Sequence, residues 1–135
     1  MLIAKAMLNH LNCWPSKPAE VKLEAFEKNS PSMILQQLSG AVKVREYING
    51  SYVGSWPFAV YIRVSGEDTS SKLDAAGTLL NLSDWLSSSS PDIGANRTVN
   101  KIEMTSLPSI AERHENGEED YQAIFVLEYK VGGKS

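Results

Sequence analysis

The sequence has few of the residues from which catalytic and metal sites are usually built. It contains one cysteine and two histidines in 135 residues, which excludes an intrachain disulfide and the usual four-ligand zinc sites. The single thiol, Cys13, is typical of a reducing compartment. No Gly-x-Ser-x-Gly elbow, Gly-x-Gly-x-x-Gly loop or Walker loop occurs. The inventory therefore argues against an enzyme, a bound cofactor and a metal centre.

The sequence also lacks a long apolar run and an excess of basic residues. No segment approaches the ~18 consecutive apolar residues of a membrane span, so we expect no membrane association. Thirteen Lys and Arg against sixteen Asp and Glu give a net charge of −3, whereas nucleic-acid-binding proteins usually carry a basic excess or stripe. A length of 135 residues with 42% hydrophobic and 21% charged residues predicts one globular domain over residues 1–135.

The first half of the chain predicts a helix and a β-hairpin. Apolar residues at three- and four-residue spacing over residues 2–11 indicate an amphipathic helix. Residues 15–31 form a connector for which an extended and a helical conformation fit equally well. Alternation over residues 41–48 predicts a strand, and Asn49-Gly50 predicts a tight turn in which both residues adopt positive φ. A second strand follows, with Pro57 at its start and its even positions from Phe58 to Val64 facing the core.

The second half predicts a long helix and two further strands. Several N-cap residues precede an apolar pattern over residues 68–87, with ridges containing Leu80 and Leu82. Alternation predicts a strand over 98–106, and the acidic segment 112–120 is expected to be a solvated loop. Residues 121–130 are apolar on both faces, which is typical of a central strand covered on both sides. The predicted fold is α+β, a single mainly antiparallel four-stranded sheet packed against helices in the order α-β-β-α-β-β.

The densest group of ionisable residues surrounds His114. Acid–base chemistry and divalent-cation binding are two possible roles of this group, but the spacing does not match the twelve-residue calcium loop. A charge run that contains Asn116-Gly117 is more typical of a solvated hairpin end. We therefore assign no catalytic, cofactor-binding or metal-binding residue and treat the loop as a candidate surface feature. Its acidic residues are Glu112, Glu115, Glu118, Glu119 and Asp120.

Two tryptophans are candidates for contact with a partner. Trp14 and Trp56 each precede a proline at the margin of a predicted element, where large aromatic side chains often bridge to another surface. Closing the edge of the core is the alternative role, and the sequence does not decide between the two. Trp85 lies on the apolar side of the long helix and is expected in the core. His10 and Cys13 lie on or beside the first helix, where packing is favoured over nucleophilic chemistry.

Four segments resemble a known family. They are YINGS at 47–51, WPFAVYIRV at 56–64, the helix 73–86 and DYQAIFVLEY at 120–129. Together they are similar to the minor capsid proteins, of the tail terminator group, of long-tailed bacteriophages, over residues 33–130. The resemblance implies an α+β subunit that assembles as a ring, a hexamer, at the head-proximal end of the tail tube. There it would halt tube polymerisation and form the surface that joins the head.

The resemblance also implies partners and a location. The partners are other copies of the chain, the tail tube protein and the head–tail connector proteins, and the location is the virion tail after assembly in the host cytoplasm. Six copies at −3 each would carry −18, and an acidic lumen would repel passing DNA without binding it specifically. We therefore expect the 112–120 loop to face the lumen or a ring face. The alternatives are another connector or tail-completion subunit, or a monomeric α+β small-molecule binding protein with its pocket between helix and sheet.

Overall fold

A computed structural model describes residues 3–18, 20–23, 32–39, 43–65, 69–115 and 117–132. Within these residues one sheet of six strands packs against two helices. Neither of these helices is long and apolar enough to cross a membrane. The elements are α1 Ile3–Asn12, β1 Val21–Leu23, β2 Ser32–Gln37, β3 Lys43–Glu46, β4 Tyr52–Ser65, α2 Thr69–Ser88, β5 Arg97–Arg113 and β6 Glu118–Val131.

The α+β class is confirmed, but the sheet has more strands than the sequence predicted. Its order is β1-β2-β4-β6-β5, with β3 paired to β4. β1 and β2 are parallel, so the sheet is mixed, while the remaining pairs are antiparallel. The expected four strands miss β1, which lies inside the 15–31 connector, and β2. Both are too short for alternation to distinguish them from a connector.

β2 and β3 pair with successive stretches along one edge of β4, at residues 58–63 and 52–54. Pro57 lies between these stretches, in the interior of β4 and not at its start as expected. Its carbonyl accepts a hydrogen bond from Leu38 N at 2.9 Å. In a strand, the N–H and C=O of one residue point to the same neighbouring strand. The N–H that Pro57 lacks would therefore point at Leu38, which follows the last residue of β2, so no hydrogen bond of the β2–β4 ladder is lost.

The Asn49-Gly50 turn between β3 and β4 is confirmed. Gly50 N donates to Tyr47 O at 3.0 Å, and Tyr47 N donates to Ser51 O at 2.8 Å. Gly50 has φ +86°, a region that favours glycine, but Asn49 is not in that region. Ile48, which was expected in the strand, lies in the turn and is fully exposed. Residues 41 and 42 of the predicted strand lie outside the described residues.

Both described helices pack on the same face of the sheet. Phe58 from β4 and Phe125 from β6 stack at 5.2 Å between ring centroids, and both are fully buried. The even positions of β4 therefore face the core as predicted. α2 is confirmed, although Leu80 is exposed and Asp68 lies outside the described residues. The other fully buried residues of this core include Met7, Leu11, Met33, Leu35, Val60, Leu79, Leu82, Ala123 and Leu127.

β6 lies between β4 and β5 in the sheet, as its apolar sequence predicted. Among the residues that the structure describes, the helices cover only the Phe125 side and Ile124 and Val126 are half-buried, so the prediction that both faces are covered does not hold there. We call the second side the open face. Strand pairing and alternation place on it Ile34, Gln36, Ser55, Pro57, Ala59, Tyr61, Arg63, Gln122, Ile124, Val126 and Glu128.

Candidate functional site

The acidic segment is a hairpin end whose strands run further than the sequence predicted. β5 continues to Arg113 and β6 begins at Glu118, so the expected loop 112–120 is wrong in extent. His114 N donates to Glu118 O at 2.8 Å, and Gly117, with φ +90°, donates its N–H to His114 O at 3.0 Å. Only Glu115 of the five acidic residues lies in the turn. Of the four in the strands, Glu119 and Asp120 form cross-strand ion pairs.

Asp120 is the centre of a buried charge network on the open face. Its side chain is 4% exposed. The Arg63 guanidinium donates to both of its oxygens, from Nε to Oδ1 at 2.8 Å and from Nη2 to Oδ2 at 3.1 Å. Register places Arg63 directly opposite Asp120 on β4, and this forked geometry suits a carboxylate. The pair ties the start of β6 to β4.

His114 completes this network from the turn. Its Nε2 lies 2.9 Å from Asp120 Oδ2 and 3.1 Å from Arg63 Nη2. A protonated Nε2 donates to the carboxylate, whereas an unprotonated Nε2 accepts from the guanidinium, and one nitrogen cannot do both at once. Either form holds the turn against β4. His114 is therefore part of the hairpin's attachment and not a solvated loop residue.

The charges of the network act on each other's pKa values. Burial by itself would raise the pKa of Asp120, but the hydrogen bonds from Arg63 and His114 outweigh it and leave that pKa below its usual value. The hydrogen bond to Asp120 raises the pKa of Arg63 further. Burial, followed by the charge of Asp120, raises the pKa of Tyr61. Asp120 is thus an ionised carboxylate with a fixed partner, which does not favour it as a general acid or base at neutral pH.

Glu119 points to the opposite side of β6 and forms a second ion pair. Its side chain is 5% exposed and accepts from Arg113 Nε at 3.3 Å, while Arg113 itself is 72% exposed. Strand pairing places the two residues opposite each other. The acidic segment therefore contributes to two faces of the sheet, and its charges are not all presented to solvent.

A cavity of about 420 Å³ lies on the open face beside the network. It is not between the helix and the sheet, where the small-molecule alternative predicted a pocket. Asp120 and Glu112 contribute carboxylates, and the rest of the lining combines apolar and amide side chains. The lining residues are Ile34, Gln36, Tyr61, Ala111, Glu112, Asp120 and Gln122.

Three side chains of the cavity and the charge network lie close enough together to be compared with a set of metal ligands. One ligand atom each from Glu112, His114 and Asp120 lies within 4.8 Å of the others. However, the Arg63 guanidinium already holds both Asp120 oxygens and lies 3.1 Å from the histidine nitrogen. A divalent cation would have to displace it and then lie beside a fixed positive charge. The geometry therefore favours a structural ion-pair network over a metal centre.

The two candidate tryptophans are buried in this chain. Trp56 is 7% exposed, donates from Nε1 to Gln37 Oε1 at 2.8 Å and stacks on Phe58 with 5.0 Å between ring centroids. Trp14 is 4% exposed, with its ring centroid 6.3 Å from that of Trp85. Burial and these contacts favour the alternative role, in which both rings close the edge of the core.

The region around α1 differs from its prediction at one residue. His10 is half-buried, stacks on Trp85 at 4.5 Å and bonds Ser89 Oγ through Nε2 at 3.1 Å. Burial lowers the pKa of His10. Cys13 is exposed just beyond the helix, so its predicted core packing is wrong.

Sequence reasoning missed Arg63, Tyr61 and the glutamines of the cavity. An isolated arginine inside an apolar strand, and an aspartate at the start of another, are the signals that could have indicated a buried pair. A scan against protein-family models finds no match, and a search of curated proteins finds no significant match. The function is therefore inferred from the residues and their geometry.

Proposed function

We propose that the chain is a tail terminator subunit, which assembles as a ring at the head-proximal end of a bacteriophage tail tube. The ring stops tube polymerisation and provides the surface that joins the head. The segments that resemble this family form one contiguous unit: β4 pairs with β6 along fourteen residues, and α2 packs on both strands. This role needs no catalysis, cofactor or membrane contact.

The observation that carries the proposal is the exposed β5 edge. β5 is seventeen residues long and ends the strand order in the described part of the chain. Leu107 is 73% exposed and Ile110 is 36% exposed on this strand. Unpaired strand edges promote association, and β5 is blunted only in part, by Pro108, by charged residues and by four register shifts. A long edge of this kind is useful to a protein whose role is assembly.

In a ring, the net negative charge of each subunit is multiplied by the number of copies. Six copies with a net charge of −3 each would carry −18. Glu115 is exposed at the β5–β6 turn, and Glu118 begins β6 beside it. Placed toward the lumen or a ring face, these carboxylates repel the phosphates of passing DNA. The assembled ring contacts the tail tube on one side and the head–tail connector proteins on the other.

Another connector or tail-completion subunit would use the same surfaces. A protein of a different class, a monomeric small-molecule binder, is favoured only by the open-face cavity of about 420 Å³. Four of the seven residues that line this cavity are charged or amide residues, and it opens on a face that an assembling subunit would cover. The ring role uses both the cavity face and the β5 edge, so we prefer it.

Capping of tail tubes tests the proposal. Tubes assembled from the tail tube protein of the phage that encodes the chain are incubated with the purified chain, and fresh tube protein is then added. The expected result is that tubes stop growing and that immunogold label lies at one tube end. Continued growth, or label along the shaft, would overturn the proposal.

A matched pair of variants links this activity to the β5 edge. Leu107→Asp removes an apolar side chain from the edge, and Leu80→Asp makes the same change on α2, where Leu80 is 45% exposed. We expect Leu107→Asp to reduce capping and Leu80→Asp to retain it. If both variants cap equally well, β5 is not an assembly surface.

A further inference from the structure

The β3–β4 turn presents an apolar residue flanked by basic ones. Ile48 is fully exposed and Tyr47 is 41% exposed. Arg45 and Lys130 are exposed beside them, with Lys130 Nζ 5.7 Å from the centroid of the Tyr47 ring. We call Arg45, Tyr47, Ile48 and Lys130 the hairpin tip. A single exposed isoleucine is ordinary on a protein surface. Here the isoleucine projects from a turn and has basic residues beside it, so it could enter a cavity on another molecule.

The open-face cavity combines apolar surface with negative charge, which complements the isoleucine and the cations of the hairpin tip. Ile34 and Ala111 give it apolar surface, while Glu112 and Asp120 give it negative charge. Glu118 is a further nearby carboxylate, since its charge acts on Arg63. Arg63 offsets one of these three negative charges. The surroundings of the cavity therefore remain acidic, and a volume of about 420 Å³ is ample for one isoleucine side chain.

The tip and the cavity lie at opposite ends of the sheet. In the β4–β6 ladder, Lys130 pairs with Val53 near the tip, and Asp120 pairs with Arg63 beside the cavity. Ten residues of strand separate Asp120 from Lys130 along β6, which corresponds to roughly 33 Å. The hairpin tip of one copy therefore cannot reach its own cavity. Only a second molecule can bring the two together.

We propose that the hairpin tip of one copy inserts Ile48 into the open-face cavity of the next copy, with Arg45 and Lys130 facing the exposed Glu112 and the nearby Glu118. This inference rests on the proposed function, because it names a contact between neighbouring subunits of the ring in addition to the β5 edge. Charge complementarity selects a second copy as the occupant: the hairpin tip carries two cations, with Glu46 as an adjacent anion, against the acidic surroundings of the cavity. Contact between two different patches is heterologous, and repeated contacts of this kind form a ring when the rotation between neighbours closes and a filament when it does not.

Disulfide trapping tests the contact in a Cys13→Ser background, which removes the natural thiol. The double variant Ile48→Cys/Gln36→Cys places one thiol at the tip and one at the cavity, and it is oxidised in the presence of tail tubes. Gln36 pairs with Ala59, seven residues along β4 from Tyr52 beside the turn, which corresponds to roughly 23 Å. A disulfide needs Cα atoms within ~7 Å, so a bond within one copy is excluded. We expect a ladder of covalent multimers on a reducing-agent-free gel, and mixed single variants should stop at dimers.

The control pairs Ile48→Cys with Leu80→Cys, whose thiol lies on exposed α2 on the other side of the sheet. It should give no ladder. If both double variants form ladders equally, or neither does while the Cys13→Ser parent caps tubes, the proposed contact is wrong and the terminator function stands. If the ladder forms specifically but the parent fails to cap tubes, the contact stands and the terminator function is wrong.

A charge exchange gives a second, independent measurement. Arg45→Glu and Glu112→Arg each place like charges across the contact, and each should weaken self-association on tubes by roughly tenfold. The double variant restores opposite charges and should recover to within about threefold of the parent, with a smaller effect at high salt. Folding of each variant is checked by its thermal unfolding. Additive losses in the double variant would overturn the contact.

Discussion

Replacing Asp120 by Asn isolates the charge at the centre of the buried network. The substitution keeps the size of the side chain and one acceptor oxygen, but it places an amide NH₂ where Oδ2 now accepts from Arg63 and His114, at 3.1 and 2.9 Å. The guanidinium then loses its anionic partner in a site where Asp120 is 4% and Arg63 is 18% exposed. The variant therefore measures what the carboxylate charge contributes to the fold.

The expected loss is about 3 kcal/mol at pH 7. Hydrogen bonds to charged groups contribute ~1.5–3 kcal/mol, and removing one partner of a fully buried pair costs ~3–5 kcal/mol. Arg63 retains some contact with water, so the lower end of the second range applies. For a chain of this size, ~3 °C of melting temperature corresponds to 1 kcal/mol, which gives a decrease of roughly 9 °C.

The loss should depend on pH in a direction that the Asp120 pKa fixes. Hydrogen bonds from Arg63 and His114 outweigh burial and lower that pKa in the folded state. The unfolded chain therefore binds the proton first. The stabilisation is complete above the unfolded value of ~3.9 and is lost as the pH falls through the folded pKa. The wild-type and Asp120→Asn proteins should converge in stability below pH ~4.

Chemical denaturation at pH 7, 5 and 3.5 measures these differences, at a protein concentration where sedimentation shows single copies. Asp74→Asn is the matched control, because Asp74 is exposed on α2, and it should change stability by less than ~0.5 kcal/mol. A loss below ~1 kcal/mol for Asp120→Asn at pH 7, or an equal loss at pH 7 and 3.5, would refute the reasoning.

Three further substitutions test the core, a close backbone approach and a buried histidine. Phe125→Ala removes a fully buried ring stacked on Phe58 and should cost ~3–5 kcal/mol in urea unfolding; a loss below ~1.5 kcal/mol would contradict this packing. Gly54→Ala places a methyl group against the Tyr129 ring, too close for the present geometry, and should cost ~1–3 kcal/mol of stability. In a Tyr129→Ala background the same substitution should cost less, and an equal cost would show that the ring is not the obstacle. Burial lowers the pKa of His10, so below ~6.5 the unfolded chain takes up the proton first and the wild type loses stability. His10→Gln should therefore be more stable relative to wild type at pH 5 than at pH 8. Thermal unfolding at both pH values measures this, and an unchanged difference in stability would contradict it.

The elements that the sequence predicted well are those with a long, regular pattern. α2 follows from apolar spacing over twenty residues, and the β3–β4 turn follows from Asn49-Gly50. β1 is missed because three residues are too few to show an alternation of apolar and polar side chains. β5 is predicted too short because its register with β6 shifts four times. Alternation fails across each shift, since the side chains change faces there.

The candidate site was harder to predict because it depends on strand register. Arg63 and Asp120 lie 57 residues apart in the chain and meet only when β4 and β6 are aligned. The sequence identified the charged segment correctly as a group, but it could not show that Asp120 faces a buried guanidinium while Glu115 faces solvent. Alternation places neighbouring residues on opposite faces, so adjacent acids such as Glu119 and Asp120 have different partners.

The place of β6 in the sheet also sets the time at which a usable subunit first exists. In the sheet that the described residues form, β6 is the strand that joins β4 to β5, so this sheet is complete when synthesis reaches residue 131. At ~5–20 residues per second, the ribosome needs several seconds to pass from the end of β4 to that point. A chain that stops before β6 lacks both the strand that unites the sheet and the Asp120 wall of the cavity. Premature products therefore lack both surfaces that the proposed ring contact requires.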